Sequence, residues 1–437
     1  MGKQTPSCQP KEVRVRGLRE VSLGFSKKIT QDEARRCPQC AVATCLAGCP
    51  LGIDIPGFIR FLREGDNLSA WERIRQDNPF PDICGRICPA PCERACIFHA
   101  DGVPIAIREL ERFAADGAPS KLERPVSLST GAKRVAIIGC GPAGLSAAYY
   151  LARANFSVTV FEAAHEPGGI LRYGIPEFRL PQKIVQNQVA RLKSLGVDIQ
   201  TDVVFGRTLM VDEIFMQGFS ALLMATGASL PVFSNLPGSN LGHVYYDTEF
   251  LSGLQNINKE DILQRAAREN RGFPANTVIL GGGYAAFDAA RLSLRLGSQV
   301  DLVFAGLEEQ LGVSDEILKE SSQEGLRVHC MQALEIMGDD NGFVRGVQCH
   351  KLDMVETPKG LKLQVSDQQP VVLEAQCVVI ANGHTCGHFL KSYLLKAGQA
   401  GTDKVFACGQ AVTAEGSVAD AIASGKSVAQ KMIEYLQ

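Results

Sequence analysis

The stretch Lys133–Glu162, KRVAIIGCGPAGLSAAYYLARANFSVTVFE, decides the fold. KRVAIIG is a short run of apolar, β-branched residues, the pattern of a strand buried on both faces. A glycine-opened helical segment follows, and SVTVFE reads as a second buried strand. Gly139, Gly141 and Gly144 fit G-x-G-x-x-G. The first allows a tight turn, the second lets a pyrophosphate approach the backbone, and the third lets helix and strand pack closely. Pro142 suits the first helical turn, with Ala143 beside it, and the helix N-terminus offers its N–H groups to phosphate. Glu162 ends the second strand, where an acid accepts ribose hydroxyls. A lone glycine motif is weak. Strand, helix, strand and acid in this order predict a dinucleotide-binding α/β unit.

The pattern recurs in Asn276–Phe304, NTVILGGGYAAFDAARLSLRLGSQVDLVF, with Gly281, Gly283, Tyr284, Ala285 and Ala286 in the same setting. Each copy is followed by an apolar strand ending in a similar turn. These are ALLMATGAS with Thr226 and Gly227, and CVVIANGHT with Asn382 and Gly383. The last segment reads as a strand, KVFACGQ with Gly409 and Gln410, then a C-terminal helix opening at Ser417 and Val418. Such a tail returns to complete the first unit, leaving the second inserted within it. The expected division is 1–125, then 126–230 with 383–437, and an insert of 231–382.

The 437 residues suffice for two or three cores, and 45 Lys+Arg against 47 Asp+Glu leave a formal charge of −2. No global basic field marks the chain for nucleic acid. MGKQTPSCQPKEVRVRG lacks an apolar secretory core, and no apolar run approaches the ~20 residues of a membrane helix. The expectation is a cytoplasmic protein without membrane insertion. In that compartment, clustered cysteines bind metal or do redox chemistry.

Of fifteen cysteines, eight crowd between Cys37 and Cys96. CPQCAVATCLAGCP places Cys37, Cys40, Cys45 and Cys49 as C-x2-C-x4-C-x3-C-P. CGRICPAPCERAC places Cys84, Cys88, Cys92 and Cys96 four apart. Structural zinc usually takes two close pairs separated by a longer loop. A compact run closed by proline follows the bacterial ferredoxin spacing, in which the cysteine before proline serves a second [4Fe-4S] cluster. The expectation is two clusters, with Cys49 crossing to the second and one cysteine of the later run returning to the first. Spacing leaves the pairing open, and leaves one cluster plus zinc, or redox thiols, as alternatives. Between the runs, Phe58, Ile59 and Leu62 share a helical face, Ser69 and Glu72 read as a capping box, and Trp71 reads as core.

With these motifs the chain resembles the glutamate synthase small-subunit family. That family includes the N-terminal half of dihydropyrimidine dehydrogenase and related subunits of ferredoxin-linked nicotinamide oxidoreductases. The resemblance covers nearly the whole chain. It rests on the Cys37–Pro50 spacing, CPAPCERAC, GCGPAGLSAAYYLA, and GGILRYGIPEFRLPQKIV (168–185), which has no simple structural explanation. It implies a helical two-cluster domain, an FAD domain and an inserted NAD(P)H domain. By that likeness Cys37, Cys40, Cys45 and Cys96 hold one [4Fe-4S] cluster. Cys49, Cys88, Cys92 and Glu111 hold the other, and Cys84 is a bystander. Gly169, Arg172, Gly174, Ile175, Pro176 and Arg179 run beside the flavin toward the nicotinamide. The implied function is an oxidoreductase subunit moving electrons between NAD(P)H and a partner protein in a hetero-oligomer. Cofactors carry such chemistry, so no side-chain catalyst is expected among the seven scattered histidines.

Three departures stand out. Ala305 and Gly306 occupy positions where NADPH-using relatives carry arginines, with Glu308 and Glu309 close behind. Tyr284 stands where Asn or Asp is usual, although Asp288 keeps the family pattern. Gln410 replaces the aspartate of a flavin-binding Gly-Asp pair, and the segment before it looks shortened. NADH against NADPH is therefore undecided. The alternative is an electron-transfer adaptor, linking ferredoxin-like or other redox partners, whose inserted module is degenerate.

Overall fold

The computed structural model describes residues 2–118, 131–255, 273–357, 360–366, 368–386, 404–413 and 416–437. Most of the soft connector at 117–133 and most of the shortened segment before Gly409 lie outside them.

The cysteine region is helical: α1 (Lys27–Arg36), α2 (Ile55–Glu64), α3 (Asn67–Arg75), α4 (Pro81–Ile87) and α5 (Ile107–Asp116). Asp54 caps α2 by accepting the Gly57 N–H at 3.0 Å, and Gly65 ends it at φ +84°. Ile55, Phe58, Ile59 and Leu62 form its buried face, as the periodicity predicts. The capping box at Ser69–Glu72 is a misreading. Asp66 is the cap, accepting the Ser69 N–H at 3.0 Å, which places Ser69 inside the first turn of α3. A carboxylate at the cap also complements the helix dipole. Trp71 sits half-buried at the edge of the core, with Arg75 over its ring at 4.7 Å.

The first dinucleotide unit has β1 (Arg134–Ile138), α6 (Pro142–Arg153), β2 (Ser157–Phe161), α7 (Gln182–Ser194), β3 (Asp198–Gln200) and β4 (Ala221–Met224). The second has β5 (Val244–Tyr246), β6 (Asn276–Leu280), α8 (Tyr284–Arg295), β7 (Gln299–Phe304), α9 (Asp315–Glu324) and β8 (Arg327–Gly338). It continues through β9 (Val344–Thr357), β10 (Gly360–Val365), β11 (Val371–Glu374) and β12 (Cys377–Ile380). The chain closes with β13 (Val405–Ala407) and α10 (Val418–Leu436).

The first sheet is parallel, in the order β3-β2-β1-β4-β13, so the C-terminal strand pairs with β4 of the first unit. The second runs β10-β9-β8-β7-β6-β12-β5, with β11 pairing β9. Its nucleotide core is parallel, and an antiparallel flap of β8 to β11 extends one side. The two chain crossings between the units pair antiparallel, His384 with Pro231 and Thr385 with Leu230. α10 lies on α6 so closely that a Cβ at Gly425 would collide with the Ala143 carbonyl, and Ser146 Oγ donates to the Ile422 carbonyl at 2.7 Å.

The helical region shares a continuous apolar core with the first unit, and polar contacts pin the junction. Lys426 Nζ lies 2.8 Å from Asp77 Oδ1, and Tyr150 Oη donates to the Asp77 carbonyl at 2.9 Å. Among the described residues no helix is long and apolar enough to cross a membrane.

Candidate cofactor sites

Cys37, Cys40, Cys45 and Cys96 line one small cavity, walled by Ile55, Ile59 and Ile107. Burial and the neighbouring sulfurs push the Cys45 thiol up to about 11, and burial also raises Cys37. Cys49, Cys88 and Cys92 gather separately, close enough to one another and to Glu111 to disturb one another's ionisation. Cys88 is pushed up to about 12 by burial. Cys84, set aside on resemblance, lies beside this second group and feels Glu111, Cys88 and Cys49.

Glu111 is buried in α5. Burial raises its carboxyl to about 8, against the Asn78 amide, which donates to Oε1 at 2.7 Å. Sequence reasoning missed Asn78, which no cysteine spacing signals. Buried thiols and a buried carboxyl need cations to ionise, and the irons of a cluster would supply them. Among the described residues, no three His, Cys, Asp or Glu side chains are placed to hold one metal ion between them. The first set rings a space, and a cubane distributes its ligands over several irons.

At the first glycine turn Gly139 has φ +100°, and a Cβ on Gly144 would collide with its carbonyl. Gly141 differs: its φ is −81° and a Cβ there would meet nothing within 4 Å. The open space in front of Gly141, at the N-terminus of α6, leaves room for an anionic group to approach the backbone. Glu162 does more than wait for ribose. Its carboxylate accepts the Cys140 N–H at 2.7 Å and the Ala164 N–H at 2.8 Å, which fixes the turn.

The segment 168–185 packs on this turn. The Gly168 N–H donates to the Cys140 carbonyl at 3.0 Å, and a Cβ on Gly169, at φ +52°, would lie 2.8 Å from Gly141 Cα. Arg172 sits in the single turn Ile170–Tyr173 that Gly174 closes, and its Nε is buried without a hydrogen bond. Ile175 and Pro176 follow, and the Pro176 carbonyl accepts the Arg179 N–H at 2.8 Å. Thr226 Oγ1, at the end of β4, is also buried and unbonded, beside Gly227 at φ +69°. These two unsatisfied groups and the open Gly141 face fit a bound flavin nucleotide. Gly409, at φ +66°, packs against Ala143, while the Gln410 amide donates to the Gly416 carbonyl at 3.0 Å. Ser417 caps α10 ahead of Val418.

The second turn repeats the geometry. Gly281 has φ +143° and packs under Ala381, whereas Gly283 faces open space. Tyr284 and Ala285 open α8 and Ala286 is fully buried. An open groove runs over Gly281 and Gly282 toward Phe304, Ala305, Met331 and Asn382. Tyr284 stacks outside this groove, under Arg179, with the guanidinium 5.0 Å from the ring centre. Arg179 also pairs with Asp288 at 2.6 Å. Segment 168–185 therefore touches both glycine turns' units, a contact between residues 109 apart that no local motif announces.

Residues 133–425 match the pyridine nucleotide-disulphide oxidoreductase family, and residues 14–122 match dihydropyrimidine dehydrogenase domain II, 4Fe-4S cluster. The chain belongs to this class of oxidoreductases, which unite iron–sulfur, flavin and nicotinamide cofactors. Within it the chain belongs with the glutamate synthase small chains. It is 31% identical to the "Glutamate synthase [NADPH] small chain" of Mycobacterium tuberculosis over 403 residues, covering 87% of this chain and 80% of that one. The "NADP(+)-dependent formate dehydrogenase subunit beta" of Moorella thermoacetica is 28% identical over 438 residues, covering 90% and 60%. FprA from Mycobacterium tuberculosis, solved in complex with NADPH, shares the fold. The TM-score is 0.55 at 17% identity, over 70% of this chain and 84% of that one.

Proposed function

We propose that this chain is the nicotinamide-linked subunit of a larger oxidoreductase, holding FAD and two [4Fe-4S] clusters and exchanging electrons with a protein partner. The observation that carries the reading is the pairing of a cysteine-lined cavity with two open glycine turns in one chain. Bound flavin supplies the exchange between two-electron hydride chemistry and the single-electron chemistry of iron–sulfur clusters.

The chain's own residues bind, orient and shield. Cys37, Cys40, Cys45 and Cys96 would hold one cluster, and Cys49, Cys88, Cys92 and Glu111 the other. Ile55, Ile59 and Ile107 keep water from the first set, and burial of this kind helps set a cluster's potential. The Gly141 and Gly283 turns would take the pyrophosphates of FAD and the nicotinamide nucleotide. Arg179, seated on Tyr284 and Asp288, fixes the flavin-side segment against the helix that opens the second site. The division 1–125, 126–230 with 383–437, and 231–382 follows these roles. A hetero-oligomer accords with relatives named as a small chain and a subunit, and the clustered cysteines favour a cytoplasmic setting.

Protein purified without oxygen tests the reading. Stepwise addition of NADH, and separately of NADPH, should bleach the flavin and iron–sulfur absorbance with at least one of them. Unchanged spectra with both would remove nicotinamide from the function.

A further inference from the structure

The two glycine turns can be compared residue by residue through their hydrogen bonds. In the first unit the Gly139 N–H donates to the Phe161 carbonyl at 2.8 Å; in the second the Gly281 N–H donates to the Val303 carbonyl at 3.0 Å. The strand registers agree, since Ile138 pairs with Phe161 and Leu280 with Val303. Residue 304 therefore stands where Glu162 stands, and Ala305 is the next position outward. In the first unit this place holds a carboxylate bonded to the Cys140 N–H. In the second it holds the ring of Phe304.

The ring is built in. It lies between Gly282 and Gly306: a Cβ on Gly282 would come 2.5 Å from Phe304 Cδ2, and a Cβ on Gly306 would collide with the same ring. Both glycines make room for it, so a long basic side chain at 306 has no place beside this rotamer. The loop beyond is tied down, with the Gly312 N–H donating to the Gly282 carbonyl at 2.9 Å. Every described residue lining the groove is uncharged; Ser234, Gln332 and Asn382 are among its polar groups. Ala305 is exposed at the rim. Glu308 and Glu309 follow two and three residues beyond Gly306, and Cys330, next to Met331 of the groove wall, feels both carboxylates.

Resting on the reading of the second unit as the nicotinamide site, we infer that it takes NADH and rejects NADPH, with Phe304, Ala305 and Gly306 as the specificity-determining residues. The phosphate that distinguishes NADPH hangs from the adenosine ribose, at the end of the strand that carries residue 304. A dianion there needs charge-assisted partners, typically an arginine fork. This wall gives it an aromatic ring, a methyl group and two nearby carboxylates. An unphosphorylated ribose meets the same wall with only hydroxyls to satisfy.

The test uses the whole holoprotein under anoxia. NADH should reduce the flavin with an apparent Kd roughly 30- to 100-fold below that of NADPH, the span expected for one or two lost charge-assisted contacts. In the unmodified protein, 5′-AMP should displace NADH and 2′,5′-ADP should not, a comparison that needs no variant to fold. Ala305→Arg should tighten NADPH roughly tenfold relative to NADH, whatever it does to the affinity for both. Equal or tighter binding of NADPH, or displacement by 2′,5′-ADP at the same concentration as 5′-AMP, overturns the inference and leaves the nicotinamide reading standing. Failure of both nucleotides to bind protein that has its flavin overturns the two together.

Discussion

Arg179 Nη1 lies 2.6 Å from Asp288 Oδ2, with Asp288 buried and Arg179 largely shielded. The pair joins the segment against the first glycine turn to the helix that begins at the second. Burial raises the Asp288 carboxyl, and Arg179, Arg291 and Arg295 pull it back down. Removing one partner of a buried pair leaves the other charge in a medium that cannot solvate it.

Arg179→Ala should destabilise the protein by about 2 kcal/mol, less than a fully isolated pair because Arg291 and Arg295 still face Asp288. Denaturant unfolding of the FAD-loaded protein measures it. The rate constant of flavin reduction by the nicotinamide nucleotide should fall as well, while FAD content holds. An unaltered midpoint together with an unaltered rate would show that the pair neither stabilises nor orients.

Two glycines three residues apart should behave oppositely. Gly141→Ala should preserve the fold, since its φ of −81° suits alanine and its Cβ meets open space, but should lower FAD occupancy severalfold. Gly144→Ala would push a methyl into the Gly139 carbonyl and should reduce folded yield. Flavin-to-protein ratio and circular dichroism distinguish the cases. Full flavin in Gly141→Ala would show that the phosphate does not approach there.

Cluster stoichiometry checks the cysteine assignment. Anaerobically purified protein should carry about eight irons per chain, and Cys96→Ser about four, as expected for two four-iron clusters. Glu111→Ala should change the electron paramagnetic resonance signal of the second cluster. Cys84→Ala should leave that signal in place; its loss would make Cys84 the ligand and Glu111 the neighbour.

Acid should weaken the protein through Glu324. This carboxylate, at the end of α9, accepts from Arg291 at 2.7 Å and Arg295 at 2.8 Å, and those contacts lower it from 4.5 to about 2. The folded value lies below the unfolded one. The stabilisation is therefore complete above about pH 4.5 and disappears as pH falls toward 2. Glu324→Gln should lose about 3 kcal/mol at pH 7 and flatten the stability profile between these limits. A variant with the original acid profile would rule Glu324 out as its cause.

Much of this was legible because it depends on local rules. The strand–glycine–helix period, the repeated strand ends and the ferredoxin-like run each need only a few consecutive residues. The cap at Asp66 was missed because two acceptors, Asp66 and Ser69, stood three apart and either could open a helix. The place of Tyr284 was open for a different reason. Whether its ring crowded the groove or stacked elsewhere depended on Arg179, more than a hundred residues before it.

By itself the sequence determined the class of fold, the order of its units and the residue types at each turn, since backbone sterics and hydrophobic periodicity act between near neighbours. Only the tertiary structure decided which sulfurs share a cavity, that Glu162 ties down its own glycine turn, and that an aromatic ring stands at the matching place in the second unit. Those relations arise when sheets and helices pack, and packing joins side chains whose distance along the chain carries no signal.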